Sequence, residues 1–177
     1  MKKVLLHICC GVCLSYPIDF LRDKGYHVTG FFFNPNIMPK DEYDLRYEAL
    51  LKIADTKKVS VIHDTGGHDI WKNECGMMHA EREGGARCLK CFGLRLKRTF
   101  EFMQSQKYDF FATTLTVSPH KRSEDIFSIA KAIAANKFLE FDFKKNDGFK
   151  KTMLQAKEAG IYMQSYCGCG YSRVPAV

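Results

Sequence analysis

Seven of the chain's eight cysteines fall in three tight groups: Cys9-Cys10-x-x-Cys13, Cys88-x-x-Cys91 and Cys167-x-Cys169. They stand at the beginning, middle and end of a 177-residue chain. No local loop spans such separations, so the groups meet only if the fold delivers three distant segments to one place. Seven thiols at one point exceed the four that close a tetrahedral zinc site. The eighth, Cys75, stands alone and reads as an ordinary core or surface residue.

The hydrophobic pattern supplies a scaffold able to do this. Residues 3–8 read as a buried strand, Cys9 to Cys13 as the loop after it, and a helix with Pro17 near its start runs to about Lys24, stopped by Gly25. Further strands are expected at His27–Phe33, Val59–His63, Tyr108–Ala112 and, briefly, Phe138–Phe141. Helices are expected at Asp41–Lys57 (with Leu45, Ala49 and Ile53 on one face), Ile70–Ala80, Leu89–Gln104, Ser123–Asn136 with an N-cap, and Gly148–Ala159. Strand and helix alternate throughout, with no repeat, low-complexity segment or linker. The expected class is α/β: one domain over residues 1–177, an open, mostly parallel sheet with helices on both faces.

In such sheets ligands sit beyond the carboxyl ends of the strands, where Cys9 to Cys13 lie. Cys88 and Cys91 open a helix, where exposed N–H groups and the helix dipole favour thiolates. Adjacent Cys9 and Cys10 do not easily converge on one small ion but can reach two irons of a wide cluster. The spacing therefore favours a 4Fe-4S cluster on Cys9, Cys10, Cys88 and Cys91. Cys13, Cys167 and Cys169 remain, either to ligate an additional mononuclear iron or to cycle as thiols, with Cys167 and Cys169 able to close a labile disulfide. The plainer reading is a zinc site with spare buried cysteines.

The opening Met1-Lys2-Lys3-Val4-Leu5-Leu6 imitates a signal peptide, but His7 breaks the apolar run short of the ~7–15 residues required. No stretch approaches the ~20 apolar residues of a membrane span. The expectation is a cytoplasmic protein without membrane contact, whose thiols stay reduced. A net charge of +7 suits a polyanion and equally suits simple solubility. Lys121, Arg122, Lys144, Lys145, Lys150 and Lys151 form a phosphate-binding face if they converge, with Phe141, Phe143 and Phe149 interleaved for stacking.

The motifs Leu6-His7-Ile8-Cys9-Cys10-Gly11-Val12-Cys13, Gly84-Gly85-Ala86-Arg87-Cys88-Leu89-Lys90-Cys91-Phe92 with Arg95-Leu96, and Thr113-Thr114-Leu115 with Ser118-Pro119-His120-Lys121 carry a resemblance. It continues through Asp142-Phe143-Lys144-Lys145 and Gly148 to Tyr166-Cys167-Gly168-Cys169. Together, in this order and over nearly the whole chain, they resemble the cobalamin-independent epoxyqueuosine reductases, the QueH family. Departures are small: Val12 stands where proline is usual, and Met163 where arginine often precedes Gln164.

The resemblance implies a HUP-like fold and a two-electron reduction of the epoxide of epoxyqueuosine in tRNA to the alkene of queuosine. It also implies a separate, unidentified electron donor. Asp142, His120 and Tyr166 are candidates to protonate the leaving oxygen, Asp142 alternatively as a ligand to the extra iron or as a salt-bridged carboxylate. Cys167, Cys169 and Asp142 are thus the expected catalytic residues. Thr113 and Thr114 are expected to touch the substrate, and His7 to orient the cysteine loop from the core. A sulfur transferase would instead need a Ser- and Gly-rich pyrophosphate loop after the first strand, which His7-Ile8-Cys9-Cys10-Gly11 does not provide.

Overall fold

The computed structural model describes residues 1–172. Four strands, β1 (Lys3–His7), β2 (His27–Phe32), β3 (Val61–His63) and β4 (Phe110–Thr113), form one sheet in the order β3-β2-β1-β4, every pairing parallel. Six α-helices connect and cover it: α1 (Ser15–Asp23), α2 (Lys40–Thr56), α3 (His68–Cys75), α4 (Ala86–Ser105), α5 (Ser123–Ala134) and α6 (Gly148–Glu158). The alternation of strand side chains explains the two faces. Val4 and Leu6 of β1 join Leu14, Ile18, Leu50, Ile53 and Ala156 on one side. Leu5 joins Leu96, Met103, Ile126 and Ala130 on the other. β1, buried on both faces, is therefore apolar at every position from Val4 to Leu6, as parallel central strands require.

Several local expectations change. Leu45 points to solvent, and the buried face of α2 runs instead through Glu42, Arg46, Ala49, Leu50 and Ile53. Residues 138–141 do not form a strand; Phe138 makes one parallel bridge to Phe111. Helix α3 ends at Cys75 and gives way to a 3₁₀ turn over Gly76–Met78. Ser123 is the first residue of α5, and no side-chain cap bond precedes it; its hydroxyl instead receives Lys144 Nζ. Among the described residues no helix is long and apolar enough to cross a membrane.

The strand order fixes where a site can form. From β1 the chain winds outward through β2 to β3, then returns to place β4 on the other side of β1. The loops leaving β1 and β4 consequently part in opposite directions and leave a crevice at their carboxyl ends. Those loops are residues 8–14, ending in the 3₁₀ turn Val12–Leu14, and the 3₁₀ turn Thr114–Val117.

Candidate metal centre and active site

The first cysteine group occupies one wall of that crevice. Ligand atoms of Cys9, Cys10 and Cys13 all lie within 4.8 Å of one another. Cys9 Sγ is 3.8 Å from Cys10 Sγ, and Cys10 Sγ is 3.1 Å from Cys13 Sγ. The loop is pinned from both sides. A Cβ on Gly11 would stand 2.5 Å from the backbone nitrogen of Leu50, so only glycine lets the turn lie directly on α2. From β4, the Thr114 hydroxyl accepts the Cys9 N–H at 3.1 Å and donates to Cys9 Sγ at 3.4 Å. Thr113 bonds His7 Nδ1 at 2.9 Å and accepts the Leu115 N–H. Both threonines, expected to touch the substrate, are buried and hydrogen-bonded to His7, Cys9 and Leu115.

The three thiols perturb one another's ionisation. Hydrogen bonds from Cys10 and Cys13 hold Cys9 well below its ordinary pKa. Cys13 favours ionisation of Cys10, but the bond to Cys9, burial and the Cys9 charge push Cys10 up to about 12. Cys13 is pushed up by the same bonds and by burial. A metal binding here must therefore displace protons.

The second and third groups are linked to the first electrostatically through Arg95. Cys88 and Cys91 lie in the first two turns of α4, both raised chiefly by burial, with the Cys167 and Cys169 thiols adding to the effect. Arg95, one turn beyond Cys91 on the same face, is 2% exposed. Burial lowers its pKa, but Cys91, Cys167, Cys9 and Cys88 together raise it. Thiols from all three groups thus lie within electrostatic reach of one guanidinium. Its Nε donates to the Cys91 carbonyl and Nη1 to Asn34 Oδ1, each at 3.3 Å, and Nη2 has no partner.

Cys167 and Cys169 are held by a device the sequence did not disclose. Arg46, buried on α2, pairs with Glu42 at 2.7 Å and donates to the carbonyls of Cys167 (3.0 Å) and Tyr166 (2.9 Å). Tyr162 Oη adds a 2.6 Å bond to Glu42, and Tyr166 Oη one of 2.6 Å to the Met38 carbonyl. Gly168 adopts φ +120°, and a Cβ there would crowd Arg46, Ile37 and Asn36. The two cysteines flanking it consequently diverge. Cys167 lines the crevice, whereas Cys169 packs with Trp71, Cys75 and Cys91. Cys75 is a core residue of that small cluster. Among the described residues no cysteine is in a disulfide, Cys167 and Cys169 included.

The crevice encloses about 390 Å³ and is lined by Cys9, Cys10, Cys13 and Cys167 together with Arg95 and Lys121. Burial lowers the Lys121 pKa, but the Cys167, Cys9 and Cys13 charges raise it overall. His120 and Tyr166 also line it; Tyr166 is engaged with Met38. Phe149 and Met163, 37% and 39% exposed, stand at its mouth with Met153. Asp142 lies elsewhere. Burial alone would raise its carboxyl, but hydrogen bonds from Lys144 and Ser123 and the Lys144 charge hold it below its ordinary value. Lys144, 3.0 Å from Asp142, also donates to the Thr116 carbonyl at 3.2 Å and so braces the β4 loop.

The basic face is partial. Lys121 reaches the crevice, Arg122 pairs with Glu124 and Asp125, and Lys151 sits over the Tyr16 ring. Phe141 and Phe143 pack edge-on to Phe20, which leaves Phe149 as the member of that trio at the mouth.

The donor set fits an iron–sulfur cluster. Each of four thiols receives a hydrogen bond: Cys9 from Thr114, Cys10 from Gln164 Nε2 (2.8 Å), Cys88 from the Gly84 N–H (3.3 Å) and Cys91 from Trp71 Nε1 (3.2 Å). Such bonds stabilise thiolates and tune cluster potentials. The orphaned Arg95 Nη2 calls for an anion, which neutral thiols do not supply. Trp71, Gln164 and Arg46 gave no motif to read; Arg95 did, as a basic residue four positions after Cys91 and hence on the same helical face.

Comparison with known proteins follows this geometry. A family model described as epoxyqueuosine reductase QueH matches residues 4–174. The chain is 34% identical over 178 residues to the epoxyqueuosine reductase QueH of Thermotoga maritima, covering 97% of this chain and 91% of that one. It is 33% identical over 179 residues to that of Streptococcus pyogenes serotype M1, covering 96% and 70%. Among solved structures, a predicted subunit of tRNA methyltransferase from Methanocaldococcus jannaschii superposes with TM-score 0.60 at 15% identity, covering 89% of this chain and 75% of that one. The U34-tRNA thiolase NcsA of Methanococcus maripaludis, solved with its 4Fe-4S cluster, gives 0.56 at 13%, covering 98% and 62%. These two likenesses establish the shared fold.

Proposed function

The chain belongs to the epoxyqueuosine reductase QueH family, and from that premise we propose that it reduces the epoxide of epoxyqueuosine in tRNA to the alkene of queuosine. Two electrons and two protons enter, both carbon–oxygen bonds of the epoxide break, a carbon–carbon double bond forms, and the oxygen leaves as water. The observation that carries this reading is the gathering of Cys9, Cys10, Cys13 and Cys167 with Arg95 in one crevice at the sheet's switch point, with Cys91 one helical turn from Arg95.

Cys9, Cys10, Cys88 and Cys91 would hold a 4Fe-4S cluster, supported by the hydrogen bond each receives. Bound there, the cluster supplies electrons singly, refilled by a donor outside this chain. Cys13, beside Cys10, and Cys167, lining the crevice, are the thiols for an additional mononuclear iron or for direct redox work, with Cys169 on the Cys91 side. Lys121 presents a cationic donor to the oxygen that leaves, and His120 at the rim can return protons from solvent. Asp142 serves through Lys144, as a positioning residue for the Thr114–Val117 turn. The apolar sides of Phe149, Met153 and Met163 suit a base already unpaired in an RNA loop. The excess of Lys and Arg over Asp and Glu, 27 to 20, suits its phosphates.

The test is turnover. Anaerobic protein reconstituted with iron and sulfide, given dithionite and tRNA bearing epoxyqueuosine, is expected to yield a nucleoside lighter by one oxygen atom in mass spectrometry. Cys88→Ser is expected to abolish that yield. Unchanged tRNA from an iron-replete, reduced wild-type sample would overturn the reading.

A further inference from the structure

Three arginines are buried near the site, Arg46, Arg87 and Arg95. Arg87 donates through Nη1 to the backbone carbonyls of Met78, His79 and Glu81, and Arg46 and Arg95 are satisfied differently. Arg46 and Arg95 are each 2% exposed. Arg46 has a carboxylate at 2.7 Å and two backbone carbonyls, a complete set. Arg95 has two long bonds to neutral acceptors, the ring of Phe92 5.5 Å below its guanidinium, and an Nη2 with no partner. Guanidinium does not give up its proton in a protein, so Arg95 cannot neutralise itself. A buried charge whose partner is missing is strongly destabilising. The groups within electrostatic reach that become anions when a metal displaces their protons are cysteines: Cys91, Cys167, Cys9 and Cys88, from all three groups.

We infer that Arg95 is the built-in counter-charge of the metal centre, a positioning residue that sets the reduction potential of the cluster rather than one that touches the epoxide. The inference rests on the proposed cluster. A four-thiolate cluster is anionic and grows more so when it accepts an electron, so a fixed positive charge beside it favours the reduced form. Its shielding by Phe92, its burial and its place one turn from Cys91 keep that charge out of high-dielectric water, where its influence would fade.

The experiment compares wild type, Arg95→Lys and Arg95→Met, each reconstituted anaerobically with iron and sulfide. Iron and sulfide contents and the midpoint potential from an EPR-monitored titration are the readouts. Arg95→Met is expected to shift the oxidised-to-reduced equilibrium at least tenfold toward the oxidised form, a 59 mV fall for one electron. Arg95→Lys, which keeps the charge, is expected to stay closer to wild type than to Arg95→Met. A Met variant unchanged to within twofold (about 18 mV by the same constant) overturns the inference while leaving the proposed function standing. If the Met variant holds no cluster, the Lys variant decides: cluster content restored by lysine supports the charge, and loss in both overturns it. A wild-type protein that takes up no iron overturns the proposed function and this inference with it.

Discussion

His7 shows how one residue can serve the site without facing it. It is fully buried, with Nε2 3.2 Å from the Phe33 carbonyl and Nδ1 2.9 Å from the Thr113 hydroxyl. A carbonyl only accepts, so Nε2 carries the hydrogen, and Nδ1 accepts from Thr113, whose oxygen in turn accepts the Leu115 N–H. The neutral ring thereby ties β1, β2 and the β4 loop together one residue pair before Cys9. Burial, then the Arg95 charge, lowers its pKa to about 3. A histidine depressed in the folded state binds its proton more readily when unfolded, so it contributes stability above the unfolded value of 6.5 and loses it as pH falls toward about 3. With the unfolded histidine half protonated at pH 6.5 and the slope approaching about 1.4 kcal/mol per pH unit below it, the cluster-free chain is expected to lose about 2 kcal/mol through His7 between pH 6.5 and 4.5. Urea unfolding at the two pH values checks this against His7→Gln, which keeps a donor to Phe33 and lacks the titration. Equal pH dependence in the two proteins would sink the assignment.

At the scale of elements, the cysteine loop is accurate because it rests on α2. Gly11 lies against the backbone at Ala49 and Leu50, which cannot give way as a flexible side chain would. Gly11→Ala is expected to destabilise the chain by about 1–3 kcal/mol and, through displacement of Cys10 and Cys13, to lower its iron uptake. Gly25→Ala is the control. Gly25 has φ +80° with open space around it, so alanine there costs about 1–2 kcal/mol of backbone strain and leaves iron uptake intact. Thermal unfolding and iron analysis of both proteins separate the two effects; equal iron loss in both would mean that Gly11 acts only through stability. The sequence announced these elements well where period and punctuation agree, as in β1, α1 with Gly25 behind it, and α4 after Gly84 and Gly85. It misled at Phe138–Phe141, whose aromatic run looks like a strand but packs its rings into the core beside α1 and α5. It also misled at Ser123, whose hydroxyl meets Lys144 from a segment some twenty residues away, a contact with no local signature.

Across the whole molecule, alternation of strand and helix made a parallel sheet legible, and the position of Cys9 after β1 made its carboxyl edge the expected site. The order β3-β2-β1-β4 was not legible, because it depends on which side of β1 the returning chain docks. Nor was the parting of Cys167 from Cys169. In an extended segment residues two apart point the same way, and it is Gly168 at φ +120°, braced by Arg46, that turns them apart. Placement of thiols from three distant groups within electrostatic reach of Arg95 is the property of the fold on which the account depends. Diffraction from anaerobic, iron-loaded crystals, with anomalous maps at the iron edge, tests it most directly. The account predicts one cluster of four irons bonded to Cys9, Cys10, Cys88 and Cys91, with Arg95 beside it. A metal held by Cys9, Cys10 and Cys13 alone, with Cys88 and Cys91 left unligated, would contradict it.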